Sequence, residues 1–238
     1  MYKLRIRFTK TDFMKFISHL DLLRLMERAL RRADIKLVFS QGFNPHPKIA
    51  FATAVPIGLS SEGEYMDIEI EEKVDIPSFI HRLNGQLPKG IRVVACKYID
   101  HRATALMAMI DASAYIAKCV LEHPVEEGDV KKWLAQFMAQ EEILLCKTTH
   151  KKNRETKKEI NIKPYIYHMD LVQYDPLYFI LKMTLATGSK GNLKPEILIE
   201  KFRECTGAPI LSDQVRVHRL DLYTFMDDKL VTPLEINA

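Results

Sequence analysis

The sequence predicts an α+β protein of two tandem ferredoxin-like halves, each a βαββαβ unit with an antiparallel sheet. Three observations carry this expectation. Residues 2–8 alternate apolar and charged side chains, the period-2 pattern of a strand. Residues 16–32 switch to helical period. The same succession of periods then returns after residue 112.

In order, Tyr2, Leu4, Ile6 and Phe8 alternate with Lys3, Arg5 and Arg7 and predict a half-buried first strand. The helix over 16–32 places Phe16, Leu20, Leu23, Ala29 and Leu30 on its apolar side, with Asp12 and Ser18 as candidate caps. A short strand is expected at 35–39, and residues 40–61 read as loop because they hold Gly42, Pro45, Pro47, Pro56 and Gly58. A strand at 65–71, a helix at 76–87 and a strand at 90–98 complete a first half spanning 1–101. Residues 101–111 serve as a linker or short helix. The second half, 112–228, repeats the order: strand 114–121, helix 126–140, strand 143–148, two strands around Tyr174-Asp175-Pro176, helix 195–205 and a last strand at 215–225. Pro195 suits the first helical turn, and Gly207 suits the residue after the helix end.

The chain has 238 residues, 47% hydrophobic and 28% charged, which excludes a disordered or low-complexity protein. No apolar run approaches the ~18–20 residues of a membrane span. The charged start MYKLRIRFTK lacks the apolar core of a signal peptide, so a cytoplasmic protein with no membrane partner is expected. Cys96, Cys119, Cys146 and Cys205 are widely spaced and read as reduced thiols, with no metal site and no cofactor implied.

The net charge of +4 is small but uneven. Residues 1–50 hold eleven Lys and Arg against four acids. Arg24, Arg28, Arg31 and Arg32 fall on one flank of the first helix, where their planar donor forks suit phosphate. The same face suits a solvated surface with Asp21–Arg24 and Glu27–Arg31 pairs. A second basic stretch at 147–158, including Lys151, Lys152 and Arg154, is expected to be a mobile loop able to follow a phosphate backbone.

The segment Ser40-Gln41-Gly42-Phe43-Asn44-Pro45-His46-Pro47-Lys48 is the most distinctive in the chain. Phe43 can offer a stacking face, and Gln41 and Asn44 can bond base edges. A structural turn with Phe43 in the core and His46 hydrogen-bonded is the competing reading. In a βαββ order this loop can fold back toward the helix. Arg24, Arg28 and Arg31 are then expected to face Gln41, Phe43, Asn44 and His46 across a cleft, with Lys48 at its end.

The phrases F-I-S-H-L-D-L, E-R-A-L-R-R, S-Q-G-F-N-P-H-P-K and S-E-G-E-Y resemble those of the bacterial radical-SAM-linked protein family, a domain family of unknown function. The likeness is closest over residues 1–100. It implies association with a radical SAM protein, whereas the chain itself lacks the CxxxCxxC motif of a cluster. No Walker A, GxGxxG, GxSxG or HExxH motif occurs. His19 and His46 are the nearest catalytic candidates, and the expected plan is similar to that of metal-independent CRISPR repeat-processing endoribonucleases. The leading expectation is a non-catalytic accessory of a radical SAM enzyme that binds RNA or presents a substrate through a basic cleft. A protein-only adaptor and an endoribonuclease are the alternatives.

Overall fold

The computed structural model of the protein describes residues 1–151, 154–189 and 191–236. In chain order the elements are β1 (Tyr2–Lys10), α1 (His19–Arg32), β2 (Ile49–Phe51), β3 (Ser60–Ile70), α2 (Ile76–Asn84), β4 (Ile91–Ile99) and α3 (Leu106–Met109). There follow β5 (Ala112–Val120), α4 (Glu127–Met138), β6 (Leu144–Lys151), β7 (Arg154–Asn161), β8 (Ile166–Asp175), β9 (Tyr178–Ala186), α5 (Pro195–Thr206), β10 (Arg216–Met226) and β11 (Lys229–Val231). Single 3-10 turns occupy Asp12–Phe16, Lys163–Tyr165 and Ser212–Gln214. The fold is α+β, with mainly antiparallel strands and, among the described residues, five α-helices.

The chain forms two compact units, Met1–Ser113 with His218–Ala238, and Ala114–Val217. The expected halves of 1–101 and 112–228 therefore differ from the observed units at the far end, because most of β10 groups with the first unit. There it runs parallel to β3 through His218↔Ser60 and Arg219↔Ser61, so the sheet of this unit is mixed and not purely antiparallel.

Within the first unit β3 pairs antiparallel with β1, in register Arg5↔Asp67 and Arg7↔Tyr65, and β4 flanks β1 on its other side. The strand expected at 35–39 is reduced to isolated bridges, Leu37↔Ile70 and Phe39↔Pro47, and the short β2 pairs with β3 in its place. Leu4, Ile6 and Phe8 on β1, Leu22, Met26, Ala29 and Leu30 on α1, and Phe79 and Leu83 on α2 are fully buried and form the apolar core. Burying a Leu or Phe of this kind contributes roughly 1.5–3 kcal/mol each.

The other face of β1 was expected to meet solvent. It is covered instead, and charged residues are buried there in pairs. Arg5 is fully buried and donates Nε to Asp67 Oδ1 at 2.8 Å, Nη2 to Asp67 Oδ2 at 2.9 Å and Nη1 to the Pro233 carbonyl at 3.2 Å. The Tyr65 hydroxyl, in register with Arg7, donates to Asp221 at 2.6 Å; Glu64, in register with Phe8, accepts from Arg219 at 2.7 Å. Burial and the Asp221 carboxylate push the Tyr65 hydroxyl well above the usual phenol range. Gly63 makes this closure possible: a Cβ there would lie 2.6 Å from the Asp221 Cα.

In the second unit β8 and β9 form an antiparallel hairpin around Tyr174–Pro176, as the sequence predicts, and β9 lies between β5 and β8. Gly207 ends α5 in the left-handed conformation at φ 70°, as its position suggests. The basic stretch expected to be a loop is a two-stranded ribbon: β6 pairs with β7 from Leu144↔Asn161 to Lys151↔Arg154. Lys147–Lys151 and Arg154–Lys158 thus lie on strands, and their mutual backbone pairing replaces the apolar anchor the segment lacks. Lys152 lies outside the described residues.

Candidate nucleic-acid interface

The segment before the first helix breaks where the chemistry requires. Ser18 is extended and its hydroxyl accepts from the Asp21 amide at 3.2 Å, so α1 starts at His19 and not at residue 16. Phe16 and Leu20, read as core, are therefore exposed, at 58% and 60%. The buried side of α1 is Leu22, Met26, Ala29 and Leu30.

On the polar side of α1, Arg24, Arg28 and Arg32 line an open groove of about 570 Å³ whose far wall is Gly85–Pro88, just after α2. At ~1.5 Å rise per residue, side chains four apart repeat about every 6 Å along the helix. Arg32 is fixed by Gln86, donating Nη2 to its carbonyl at 2.8 Å and Nε to its Oε1 at 3.3 Å. Arg24 lies 3.5 Å from Asp21. Arg28 is exposed and has no ion-pair or hydrogen-bond partner among the described residues. Arg31 was expected in this cleft, but it pairs with Glu27 at 3.2 Å and does not line the groove. The helical repeat explains the exchange. Arg32 sits about 80° round from Arg24 on the Leu25 side, whereas Arg31 sits about 20° the other way, toward Glu27.

The signature loop does not form the second wall. Gln41, Phe43, Asn44 and His46 are exposed and absent from the groove lining. Ser40 closes the loop: its amide donates to the His46 carbonyl at 2.8 Å, and its hydroxyl accepts from the His46 amide at 3.0 Å. Phe43 is fully exposed, so the reading that placed it in the core is overturned. Lys48 pairs with Glu69 at 2.8 Å and lines a different cavity of about 660 Å³, together with His19, Leu23 and Phe51. His19 stands edge-on to Phe51, and its buried Nδ1 has no protein partner among the described residues. Neither histidine candidate reaches the arginine groove.

The charged, helix-breaking segment before α1 went unread as a site. The Asp12–Phe16 turn, with Pro88 and Lys89, borders a further hollow of about 520 Å³. Phe13 on this turn is 82% exposed. The signal was the N-cap at Ser18, which leaves both phenylalanines outside the helix and its buried stripe.

Residues 3–195 match the family described as uncharacterized protein conserved in bacteria, DUF2344. The chain belongs to this family. No curated protein matches the DUF2344 chain by sequence. Its fold is similar to that of a chain in the crystal structure of a Cbf5-Nop10-Gar1 complex, with a TM-score of 0.51, 9% identity, and coverage of 97% of this chain and 52% of that one. A chain of the archaeal box H/ACA sRNP Nop10-Cbf5 complex is similar at a TM-score of 0.48 and 10% identity, covering 92% and 47%. The DUF2344 chain thus spans about half the length of the solved chains it matches. Among its described residues no group of His, Cys, Asp or Glu side chains could hold a metal ion, and no helix is long and apolar enough to cross a membrane.

Proposed function

We propose that this protein is a non-catalytic, cytoplasmic accessory of a radical SAM enzyme that binds RNA through the arginine groove of α1. One observation carries the reading: Arg28 stands unpartnered between Arg24 and Arg32 in an open groove. Guanidinium groups spaced along a helix can each take a phosphate through paired N–H donors. The buried Arg5–Asp67 and Arg219–Glu64 charges are already paired with one another, so they offer nothing to a substrate. The association with a radical SAM enzyme rests on the signature phrases. The finer fold reading, two ferredoxin-like halves in tandem, is supported by the matching strand neighbours β1-β3-β2 and β5-β9-β8, with the β6–β7 ribbon as an insertion.

The test is fluorescence anisotropy with a labelled RNA at several salt concentrations. The parent should bind with a salt-dependent affinity, and Arg28→Ala should weaken binding and lower the log–log salt slope by roughly one phosphate's share, ~0.7–0.9. Salt-independent affinity, or an unchanged slope in the variant, would remove the groove from RNA binding. The adaptor reading draws on the fully exposed Phe43. Loss of the radical SAM partner in Phe43→Ala, with RNA affinity intact, would favour it.

A further inference from the structure

We infer that the Asp12–Phe16 turn is a base-stacking platform, so that the groove takes single-stranded RNA, its phosphates on the arginines and its bases on Phe13 and Phe16. The inference rests on the reading of the arginine groove as an RNA site. Four observations support it.

First, Phe13 and Phe16 are both exposed within five residues of chain and border the same hollow. Second, the hollow they border adjoins the arginine groove, with Pro88 lining both. Third, the charge around it is complementary to a phosphate backbone: Lys15 and Lys89 line the hollow, with Asp12 as its acid. The Lys15 ammonium lies over one face of the Phe16 ring, 5.0 Å from its centroid, and leaves the other face for a base.

Fourth, the turn is held rigidly from beneath. Lys10 is fully buried and donates Nζ to the carbonyls of Lys15 and Pro56, at 3.1 and 3.3 Å. The Thr11 amide donates to the Gly90 carbonyl at 2.7 Å, which ties the turn to the end of the opposite groove wall. Gly90 is required there, since it has φ +96° and a Cβ would lie 2.6 Å from the Thr11 carbonyl oxygen. This buried ammonium fixes the backbone of a turn whose phenylalanines face outward. It suits a platform that must present its rings in a fixed orientation, because preorganised aromatic surface loses little entropy on binding. Duplex RNA keeps its bases stacked inside the helix, so only a single strand can offer them to the rings.

The experiment compares the parent, Phe13→Ala, Phe16→Ala and Arg28→Ala by anisotropy, using one single-stranded RNA, its duplex form and an abasic strand of equal length. Each phenylalanine variant is expected to lose about fivefold or more in affinity for the single strand, with the salt slope unchanged and the melting temperature held. The abasic strand should bind parent and phenylalanine variants alike, and the duplex should bind more weakly than the single strand. If Arg28→Ala weakens binding while both phenylalanine variants match the parent, the groove binds phosphate and the platform is refuted. If the parent binds no RNA, the reading of the groove itself fails. If the phenylalanine variants keep RNA affinity but lose a co-purifying protein, the turn is a protein interface and the inference is overturned.

Discussion

The ammonium of Lys10 lies beneath the backbone of Lys15 and donates to its carbonyl at 3.1 Å, so a fully buried cation near the start of the chain supports a turn with two exposed phenylalanines. Local structure and packing meet in this contact. The last residue of β1 turns inward and finds, in two loop carbonyls, the hydrogen bonds that its burial would otherwise deny it.

Lys10→Met removes the donor and strands those carbonyls. The expected cost is about 1–3 kcal/mol in urea unfolding. The amides of residues 12–16 should also exchange faster with deuterium, and unchanged exchange would show that the turn stands without its brace. Burial lowers the Lys10 pKa, with Glu64 acting against the shift. The unfolded chain then holds the Lys10 proton to higher pH than the folded one. Stability from this group therefore rises with pH between the lowered folded value and 10.5, and the gap between parent and Lys10→Met should widen over that window.

The Arg5–Asp67 pair tests how charge is tolerated on the covered face of β1. Asp67→Ala leaves a buried guanidinium uncompensated and should cost about 3–5 kcal/mol. Arg5→Met combined with Asp67→Leu should cost much less than the single change, because both desolvation penalties vanish together. A larger loss in the double than in the single variant would mean that the bond from Arg5 to the Pro233 carbonyl, not the ion pair, dominates.

Thiol chemistry reads the burial of two strands. Burial pushes the thiols of Cys96 and Cys119 up to about 12, whereas Cys146 and Cys205 are exposed. At pH 8 a disulfide reagent should label Cys146 and Cys205 quickly and the other two only after denaturation. Rapid labelling of Cys119 in the native protein would reveal opening of β5. The raised pKa values hold a proton in the folded state that the unfolded chain releases above 9.0, so their contribution to stability is complete below that pH and declines as pH climbs toward 12.

The order of strands and helices was legible because periodicity is a local property. Ser18, Pro195 and Gly207 marked helix ends through backbone chemistry that needs no tertiary partner. The candidate site was only half legible. Arg24 and Arg28 could be placed on a groove-facing flank, but the choice between Arg31 and Arg32 depended on which neighbour each would meet, Glu27 or Gln86. Nothing local announced that residues 85–88, and not the signature loop, would form the second wall. Phe16 fitted a helical stripe until the cap at Ser18 cut it off. The basic stretch at 147–158 carried no apolar signal, and its strand pairing is a backbone matter that composition does not disclose.

The first unit is discontinuous in sequence, and this orders events on the ribosome. When residue 113 has left the exit tunnel, Glu64 lacks Arg219, Tyr65 lacks Asp221, and Arg5 lacks the Pro233 carbonyl. Residues 114–217 must be synthesised first, about 5–20 s at ~5–20 residues per second. Throughout that interval Glu64 has the Lys10 charge near it but lacks the 2.7 Å Arg219 bond, so the final closure around β3 waits for β10. The unit encoded second is free to compact first, whereas the arginine groove, lined by residues between Asp21 and Pro88, takes no residue from beyond position 113.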